Sequence, residues 1–168
     1  VSLVSGPVHL PTPDRVRRTN VESAEQMLDA VMQRVSETDI FIGVAAVADY
    51  RPATIEKQTI KKDADHMTLA LVKNPDIISR VAALPDGPMV VGFAAETEKL
   101  EAHGKEKLKR KGLDLLFANQ ATETFNSDEV TVTALTRDSQ QTLGPGSKLS
   151  IARLMLDLIA EYLEQKLH

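Results

Sequence analysis

Three apolar runs mark the chain, and each is separated from the next by segments whose apolar residues recur every three or four positions. The runs cover residues 40–48, 88–95 and 113–118. Because polar residues do not alternate within them, they are typical of strands buried on both faces of a parallel sheet. Polar residues follow the three runs, at Asp49, Glu96 and Asn119. Ligands of such sheets bind beyond the carboxyl ends of the strands, so these ends predict the position of a site.

Four segments have the spacing of amphipathic helices. They span residues 21–36, 75–84, 98–111 and the C-terminal stretch from 151 onward. The first has capping-box spacing at residues 19–22, and Gly112 stops the third. The second has Asn74 as its N-cap and Pro75 at its first position, whereas Ser150 caps the fourth. The fourth is expected to turn six side chains towards the core: Ile151, Leu154, Met155, Leu158, Ile159 and Tyr162.

Shorter strands and polar loops connect these segments. Strand patterns occur at residues 1–5, at 67–72 and at 130–136, the last with an antiparallel partner near 141–143. Loop patterns occur at residues 9–18, 51–65 and 121–129, with an extended segment starting near 60–62. The order predicts an α/β fold, a Rossmann-like three-layer α/β/α domain with a mainly parallel sheet and an antiparallel edge. We expect one domain over residues 1–168, preceded by elements that this chain lacks.

Composition narrows the class of protein. With 168 residues, 42% of them hydrophobic, the chain can build one core. A net charge of −4, four Phe, two Tyr and no Trp argue against a nucleic-acid partner. The absence of cysteine excludes disulfides and thiolate sites, and the four histidines have no metal-ligand spacing. No signal peptide or apolar run of about 20 residues occurs, so we expect a cytoplasmic protein without a membrane partner.

Several features are compatible with a phosphorylated ligand. Small residues at the strand ends leave room for a ligand against the backbone, although they equally make room for packed helices. The helix start after Asn74 offers backbone N–H groups to a phosphate, as any capped helix does. Lys107 and Lys111, four residues apart, could converge on a polyphosphate with Lys61 and Lys62, or could form a solvated surface. Carboxylates for Mg²⁺ are offered by Asp49, Asp76 and Glu96.

The residues at these positions resemble bacterial phosphopantothenate-cysteine ligase. The likeness runs through the chain in the family's order. It is carried by the segments GVAAVADYRP (43–52), IKK (60–62), VKNPDI (72–77), VGFAAET (91–97) and FNSD (125–128). In bacteria this ligase is usually the C-terminal half of a bifunctional protein whose other half is a flavin-dependent decarboxylase.

The resemblance implies a ligase of coenzyme A biosynthesis. CTP activates the carboxylate of 4′-phosphopantothenate as an acyl-cytidylate, and the amine of L-cysteine then displaces CMP to give 4′-phosphopantothenoylcysteine. Mg²⁺ assists, with Asp49 as its candidate ligand, and FMN belongs only to the fused decarboxylase domain. The resemblance also implies a homodimer.

The family's contacts can be transferred by residue. Those to CTP fall on Gly43, Val44, Ala45, Asp49, Pro75, Asp76, Ile77, Ile78, Phe93, Lys107 and Lys111. Those to the phosphopantothenate fall on Ala46, Tyr50, Lys61 and Lys62, with the region from Ala45 to Tyr50 near the subunit boundary. No catalytic residue is assigned, because the family's asparagine lies in a preceding glycine-rich segment that is absent here.

The chain departs from the family's sequence pattern at two places, and two alternative functions are considered. A family lysine aligns with Thr59, with Lys57 two residues away. Because the glycine-rich segment is absent, we expect this polypeptide to turn CTP over only when that segment is restored. One alternative is a non-catalytic module for nucleotide binding and dimerisation. The other is an NAD(P)-dependent reductase, which the missing dinucleotide fingerprint disfavours.

Overall fold

The computed structural model describes residues 1–56, 58, 66–96, 100–120 and 129–167. The strands are β1 (Ser2–Ser5), β2 (Arg17–Asn20), β3 (Ile40–Gly43), β4 (Tyr50–Pro52), β5 (Leu71–Lys73), β6 (Met89–Glu96), β7 (Leu115–Gln120), β8 (Glu129–Leu135) and β9 (Gln140–Ser147). The helices are α1 (Ala24–Met32), α2 (Ile77–Ala82), α3 (Leu100–Lys111) and α4 (Lys148–Leu167), with a 3₁₀ turn at Val35–Glu37. Two compact units result: unit 1 contains Val1–Gln33 and Ala45–Ile77, and unit 2 contains Arg34–Val44 and Ile78–His168.

Unit 1 contains two small sheets. The first pairs β1 with β2 in parallel, with Ser2 opposite Arg17. Residues 9–18 were expected to be a loop, but Arg17 already belongs to β2. The Arg18 side chain helps to hold this extended segment, because it donates hydrogen bonds to the Leu10 carbonyl (2.8 Å) and the Asn20 side chain (2.7 Å).

Helix α1 begins later than predicted. A capping box does form, but between Ser23 and Gln26: the Gln26 N–H donates to Ser23 Oγ (3.1 Å), and the Ser23 N–H donates to Gln26 Oε1 (3.3 Å). The predicted box at residues 19–22 is wrong because β2 extends through Asn20 and the Val21 N–H then donates to the Ser5 carbonyl. Because Thr19 and Asn20 pair with β1, the helix starts after the next residue that can form a capping box, which is Ser23.

The second sheet of unit 1 corrects two sequence predictions. It pairs β4 with β5 in antiparallel register, Tyr50 opposite Lys73. The predicted strand at 67–72 is therefore displaced to Leu71–Lys73, and the predicted loop at 51–65 begins with strand residues. Residues 57 and 59–65, including Lys57, Thr59, Lys61 and Lys62, lie outside the described part of the chain.

Unit 2 is built on a five-stranded sheet with the order β3-β6-β7-β8-β9. Strands β3, β6 and β7 are parallel, whereas β8 and β9 form an antiparallel edge. One sheet face packs against α4 through a cluster that includes Val91, Phe117, Ile151 and Met155. On the other face, Gly92 lies against Ile78, and α3 packs on β6, β7 and β8. This arrangement is the predicted three-layer α/β/α order.

The apolar run at 40–48 is not one buried strand. Strand β3 ends at Gly43, and the side chains of Ile42 and Val44 are 40% and 61% exposed. The reason is position in the sheet, since β3 pairs only with β6 within the described residues. The other two runs are confirmed, because β6 and β7 each lie between two neighbours.

The predicted helix ends are partly correct. Gly112, at φ +69°, stops α3 as expected, and the Leu113 N–H donates to the Leu108 carbonyl. Helix α4 starts at Lys148, so Ser150 is not its cap; the Ser150 N–H donates to Ser147 Oγ (3.2 Å), which makes Ser147 the cap.

Two more predictions about the helices need correction. Leu154 of α4 was expected in the core but is 45% exposed. Helix α2 begins at Ile77, so neither Asn74 nor Pro75 occupies the predicted helical position. Among the described helices, none has the length and apolar character needed to cross a membrane.

Candidate functional site

Two glycines lie side by side at the centre of the parallel strands in unit 2. Gly43, the last residue of β3, is opposite Gly92 of β6. A Cβ placed on Gly43 would be 2.9 Å from Ile78 Cδ1, and one on Gly92 would be 3.2 Å from the same atom. The Ile78 side chain therefore occupies the space above both glycines on this face of the sheet. Gly43 and Ile78, two of the predicted CTP contacts, are brought together.

Phe93 is oriented towards the opposite face. It is half-buried, packs against the cluster beneath α4, and its ring centre lies 5.6 Å from that of Phe117. Successive side chains of a strand point to opposite faces, so Phe93 and the Ile78–Gly92 contact lie on different sides of the sheet. Phe93 is also one residue beyond the last pair of β3 and β6, Gly43 and Gly92, so it lies past the carboxyl end of β3.

The two lysines predicted to bind phosphate lie on one flank of α3. Relative to the buried Gly104, Lys107 lies about 60° to one side and Glu101 about 60° to the other, since a helix turns about 100° per residue. Glu101 accepts a hydrogen bond from Gln140 of β9 (2.8 Å), so its flank faces the antiparallel edge. Lys107 therefore lies on the flank opposite Glu101, Lys111 lies about 20° from Gly104 on the same side as Lys107, and both lysines are half-buried.

The end of α3 contacts α2. A Cβ placed on Gly112 would be 3.7 Å from Ala82 Cβ in α2. Helix α2 also carries Ile78, which lies above the glycine pair. In unit 2 the structure thus brings Gly43 and Ile78 together, and it places Lys107 and Lys111 one turn apart on α3.

The carboxyl ends of β6 and β7 also lie together, as predicted. Ala94 is opposite Ala118, and Ala95 is opposite Asn119. The third predicted strand end does not exist at Asp49, because β3 stops six residues earlier. Asp49 belongs instead to the segment that leads into β4.

In unit 1, the segment from Ala45 to Asp49 is exposed over most of its length. The predicted CTP contacts Ala45 and Asp49 are exposed, as is the predicted phosphopantothenate contact Ala46, and Tyr50 is 58% exposed. The turn is held locally by a hydrogen bond from the Val47 N–H to the Ala45 carbonyl (3.1 Å). These residues can therefore meet a ligand without rearrangement of a core.

Asn74 fixes the end of this segment by three hydrogen bonds. Its backbone N–H donates to the Asp49 carbonyl (2.8 Å), and its side-chain Nδ2 donates to the Ala48 carbonyl (2.8 Å). Its Oδ1 accepts from Arg51 Nη1 (3.1 Å). Pro75, Asp76 and Ile77 follow directly in the chain, so the predicted contacts at Ala45–Asp49 and at 75–77 are linked within unit 1.

Arg51 completes this arrangement. It also donates to the Lys73 carbonyl (3.0 Å), and its Nη2 lies 2.7 Å from Glu25 Oε1 of α1. Neither this role of Arg51 nor that of Asn74 was predicted from the sequence. The sequence did contain one indication. Asn74 precedes Pro75, and a residue before proline disfavours the helical conformation, so its side chain can bond to another segment instead of capping a helix.

The exposed Asp49 suits a magnesium ion that is bound mainly by the phosphates of a nucleotide. It does not suit a site built from protein side chains alone. In the described part of the chain, no three His, Asp or Glu side chains come close enough to hold a metal ion together. Mg²⁺ commonly uses one or two carboxylates together with substrate phosphates and water, a pattern that Asp49 can satisfy.

The chain has relatives among characterised protein families. Residues 1–163 match the family described as the DNA/pantothenate metabolism flavoprotein C-terminal domain. The coenzyme A biosynthesis bifunctional protein of Vibrio vulnificus (strain YJ016) is 48% identical over 165 residues, which cover 95% of this chain and 41% of that protein. The protein of the same description from Escherichia coli (strain K12) is 47% identical over 173 residues, covering 99% and 43%.

The chain thus spans about two fifths of the length of these curated relatives. A crystal structure of the C-terminal domain of a coenzyme A biosynthesis bifunctional protein is also similar. It has a TM-score of 0.79 and 32% sequence identity, and the match covers 98% of this chain and 76% of that one. The predicted α/β fold, with parallel strands and an antiparallel edge, is confirmed.

Proposed function

The chain belongs to the DNA/pantothenate metabolism flavoprotein C-terminal domain family, and from this we propose that it is the CTP-dependent ligase of coenzyme A biosynthesis. Its substrates are 4′-phosphopantothenate and L-cysteine, and its product is 4′-phosphopantothenoylcysteine. The observation that carries the proposal is the 47–48% identity to bifunctional coenzyme A biosynthesis proteins over 95–99% of the chain.

The reaction has two bond exchanges. A carboxylate oxygen of phosphopantothenate attacks the α-phosphorus of CTP, and the bond from that phosphorus to the β-phosphate bridge breaks, releasing pyrophosphate. The amine of cysteine then attacks the acyl carbon, the bond to CMP breaks, and the amine loses a proton. Activation is needed because a carboxylate is a poor acyl donor, whereas CMP is a good leaving group. Protein groups contribute by positioning and by neutralising charge.

We assign the nucleotide contacts as predicted. Gly43 and Ala45 are proposed main-chain contacts of CTP, and Ile78 and Phe93 are proposed apolar contacts. Lys107 and Lys111 supply cations from one flank of α3, which suits a triphosphate because several converging charges bind it more strongly than one. The full proposed set also contains Val44, Asp49, Pro75, Asp76 and Ile77.

We assign phosphopantothenate to the exposed segment around Ala46 and Tyr50, together with Lys61 and Lys62. Mg²⁺, held by Asp49 and by phosphate oxygens, would screen the charge of the triphosphate. FMN belongs to the decarboxylase portion that we expect to be fused to this domain, and not to this chain. A homodimer and a cytoplasmic location complete the proposal; sedimentation analysis tests the dimer.

Turnover by the intact protein tests the function. We expect pyrophosphate release from CTP that requires phosphopantothenate and Mg²⁺ but not cysteine, followed by CMP release when cysteine is added. Binding of CTP without any turnover would support the non-catalytic module instead. Oxidation of NADPH without use of CTP would support the reductase.

Lysine substitutions on α3 test the nucleotide site. Lys107→Gln and Lys111→Gln each remove a half-buried cation that we assign to the triphosphate, so we expect the KM for CTP to rise about tenfold, as for a hydrogen bond to a charged group. Lys109→Gln is the matched control, because Lys109 is exposed on the same helix and is not assigned to the site. Equal effects of all three substitutions would contradict the assignment and indicate bulk electrostatics.

A further inference from the structure

We infer that Asn74, oriented by Arg51, is the positioning residue for the main chain at Ala48 and Asp49. This inference rests on the proposed function, because its consequence is to present the Ala45–Asp49 segment to CTP and phosphopantothenate. The geometry that carries it is one amide side chain bonded to a carbonyl on one side and to a guanidinium on the other.

The orientation of the Asn74 amide follows from its partners. A backbone carbonyl can only accept a hydrogen bond, and a guanidinium can only donate. The NH₂ group must therefore face Ala48, at 2.8 Å, and the oxygen must face Arg51, at 3.1 Å. Rotating the amide by 180° would oppose two acceptors on one side and two donors on the other. Arg51 thus selects the orientation in which Asn74 holds the Ala48 carbonyl.

Arg51 is itself well placed for this task. Its Nη1 contacts both Asn74 Oδ1 and the Lys73 carbonyl, and its Nη2 contacts Glu25 Oε1. Strand pairing adds a second constraint, because Arg51 is opposite Val72 in the antiparallel pair of β4 and β5. A planar guanidinium can serve partners in several directions at once, whereas a lysine ammonium on a flexible stem could not hold the same geometry.

Asn74 links two parts of the proposed site, the segment that ends at Asp49 and the segment that begins at Pro75. On one side are Ala48 and Asp49, whose carbonyls accept from its side chain and backbone. On the other side Pro75 follows at once in sequence and restricts the backbone of Asn74 to extended conformations. Movement of the Asn74 amide would therefore displace Asp49 relative to Pro75 and Asp76, all of which are assigned to CTP. Misplacement of reacting groups by a small distance is expected to lower turnover more than binding.

Asn74→Asp separates positioning from general stability. The substitution keeps the size of the side chain and the acceptor facing Arg51, but it replaces the donor that faces Ala48 with a second acceptor. We expect kcat/KM for phosphopantothenate to fall about ten- to a hundredfold, the range for a broken hydrogen bond that leaves a carbonyl opposed. Most of the fall should be in kcat.

Hydrogen exchange distinguishes a local change at residues 45–51 from a general loss of structure, and the fall in kcat at a nearly unchanged KM distinguishes positioning from weaker binding. In Asn74→Asp we expect faster exchange in peptides that cover residues 45–51, with unchanged exchange in β6 and β7. Arg51→Lys should give the same local pattern with a smaller loss of kcat. Glu25→Gln, with Glu22→Gln as a matched charge control on the same exposed segment, should change kcat less than about threefold, since exposed ion pairs contribute little.

The outcomes separate the inference from the function on which it rests. If the unsubstituted protein does not use CTP even with the glycine-rich segment restored, the proposed function fails. If it is active and Asn74→Asp retains full kcat with unchanged exchange at 45–51, the positioning role is overturned. Faster exchange throughout β6 and β7 would also overturn it, because the effect would then be loss of the fold. A second variant, Asn74→Gln, keeps the donor and acceptor chemistry and should recover part of the activity if the amide itself is responsible.

Discussion

The contact between Gly43 and Ile78 predicts how Gly43→Ala changes the free energy of unfolding, and the structure gives the sign of that change. A Cβ at Gly43 would lie 2.9 Å from Ile78 Cδ1, closer than side chains normally approach, while its other neighbours lie at 3.4 and 3.5 Å. Inserting a methyl group into packed surroundings costs about 1–3 kcal/mol. Replacing glycine by alanine also restricts the unfolded chain, which stabilises by about 0.4–1 kcal/mol. Because Ile78 is only half-buried and can partly yield, Gly43→Ala should lower the free energy of unfolding by about 1 kcal/mol.

Gly43→Ala should raise the free energy of unfolding, and not lower it, once Ile78 Cδ1 is removed. Ile78→Val deletes Cδ1 and by itself should cost about 0.5–1.5 kcal/mol. In the Ile78→Val background the nearest remaining contacts of the new Cβ are at ordinary distances. Gly43→Ala should therefore be stabilising there by a few tenths of a kcal/mol, and the two substitutions should be coupled by about 1–2 kcal/mol.

Urea denaturation followed by far-UV circular dichroism is the assay, since the chain has no tryptophan for fluorescence. Gly6→Ala is the matched control, because a Cβ at Gly6 would have no atom within 4 Å. It should leave stability unchanged or slightly raised in both backgrounds. Additive effects of Gly43→Ala and Ile78→Val would refute the reasoning, because they would show that Ile78 does not fill the space above Gly43.

Two further predictions concern the stability of unit 2. Ser147→Ala should lower stability by about 1 kcal/mol because Ser147 Oγ caps α4, while Ser150→Ala should have a smaller effect; equal effects measured by thermal unfolding would contradict the assigned cap. Asp114 accepts from the Val90 N–H (2.7 Å) and from Lys166 Nζ (2.9 Å), so Asp114→Ala should cost about 1–3 kcal/mol, more than Asp114→Asn, which keeps an acceptor for Val90. A urea midpoint as low for Asp114→Asn as for Asp114→Ala would mean that the charge pair with Lys166, and not the bond to Val90, matters most.

Much of the fold of unit 2 was determined by the sequence itself. A run of residues without polar alternation has few options other than burial on both faces, and β6 and β7 are confirmed for that reason. Gly112 can adopt a positive φ without strain, so the end of α3 was equally predictable. The candidate residues came from short motifs whose order survives in the sequence, and the family they indicated is the one to which the chain belongs.

The tertiary structure decided what depends on partners distant in the sequence. The run at 40–48 has the composition of a buried strand, but only its position at one side of the described sheet ends β3 at Gly43 and exposes Val44. A capping box was predicted at residues 19–22, but the pairing of β2 with β1 takes up Thr19 and Asn20, and Ser23 caps α1 instead. Local sequence states which conformations are favourable, whereas the choice among them is made by contacts that form only after folding.

The same distinction applies to the site. The sequence indicated Asp49 as a carboxylate after an apolar run and the lysines of α3 by their spacing, and it indicated Tyr50 through the family resemblance. It could not reveal that Asn74 bonds to Ala48 and Arg51, residues 26 and 23 positions away. Local rules assigned Asn74 to the helix that follows it, which was the nearest possible partner. The physical reason is that a side-chain amide bonds wherever donors and acceptors meet it in space, and only the folded chain brings the Ala48 carbonyl and the Arg51 guanidinium to opposite sides of Asn74.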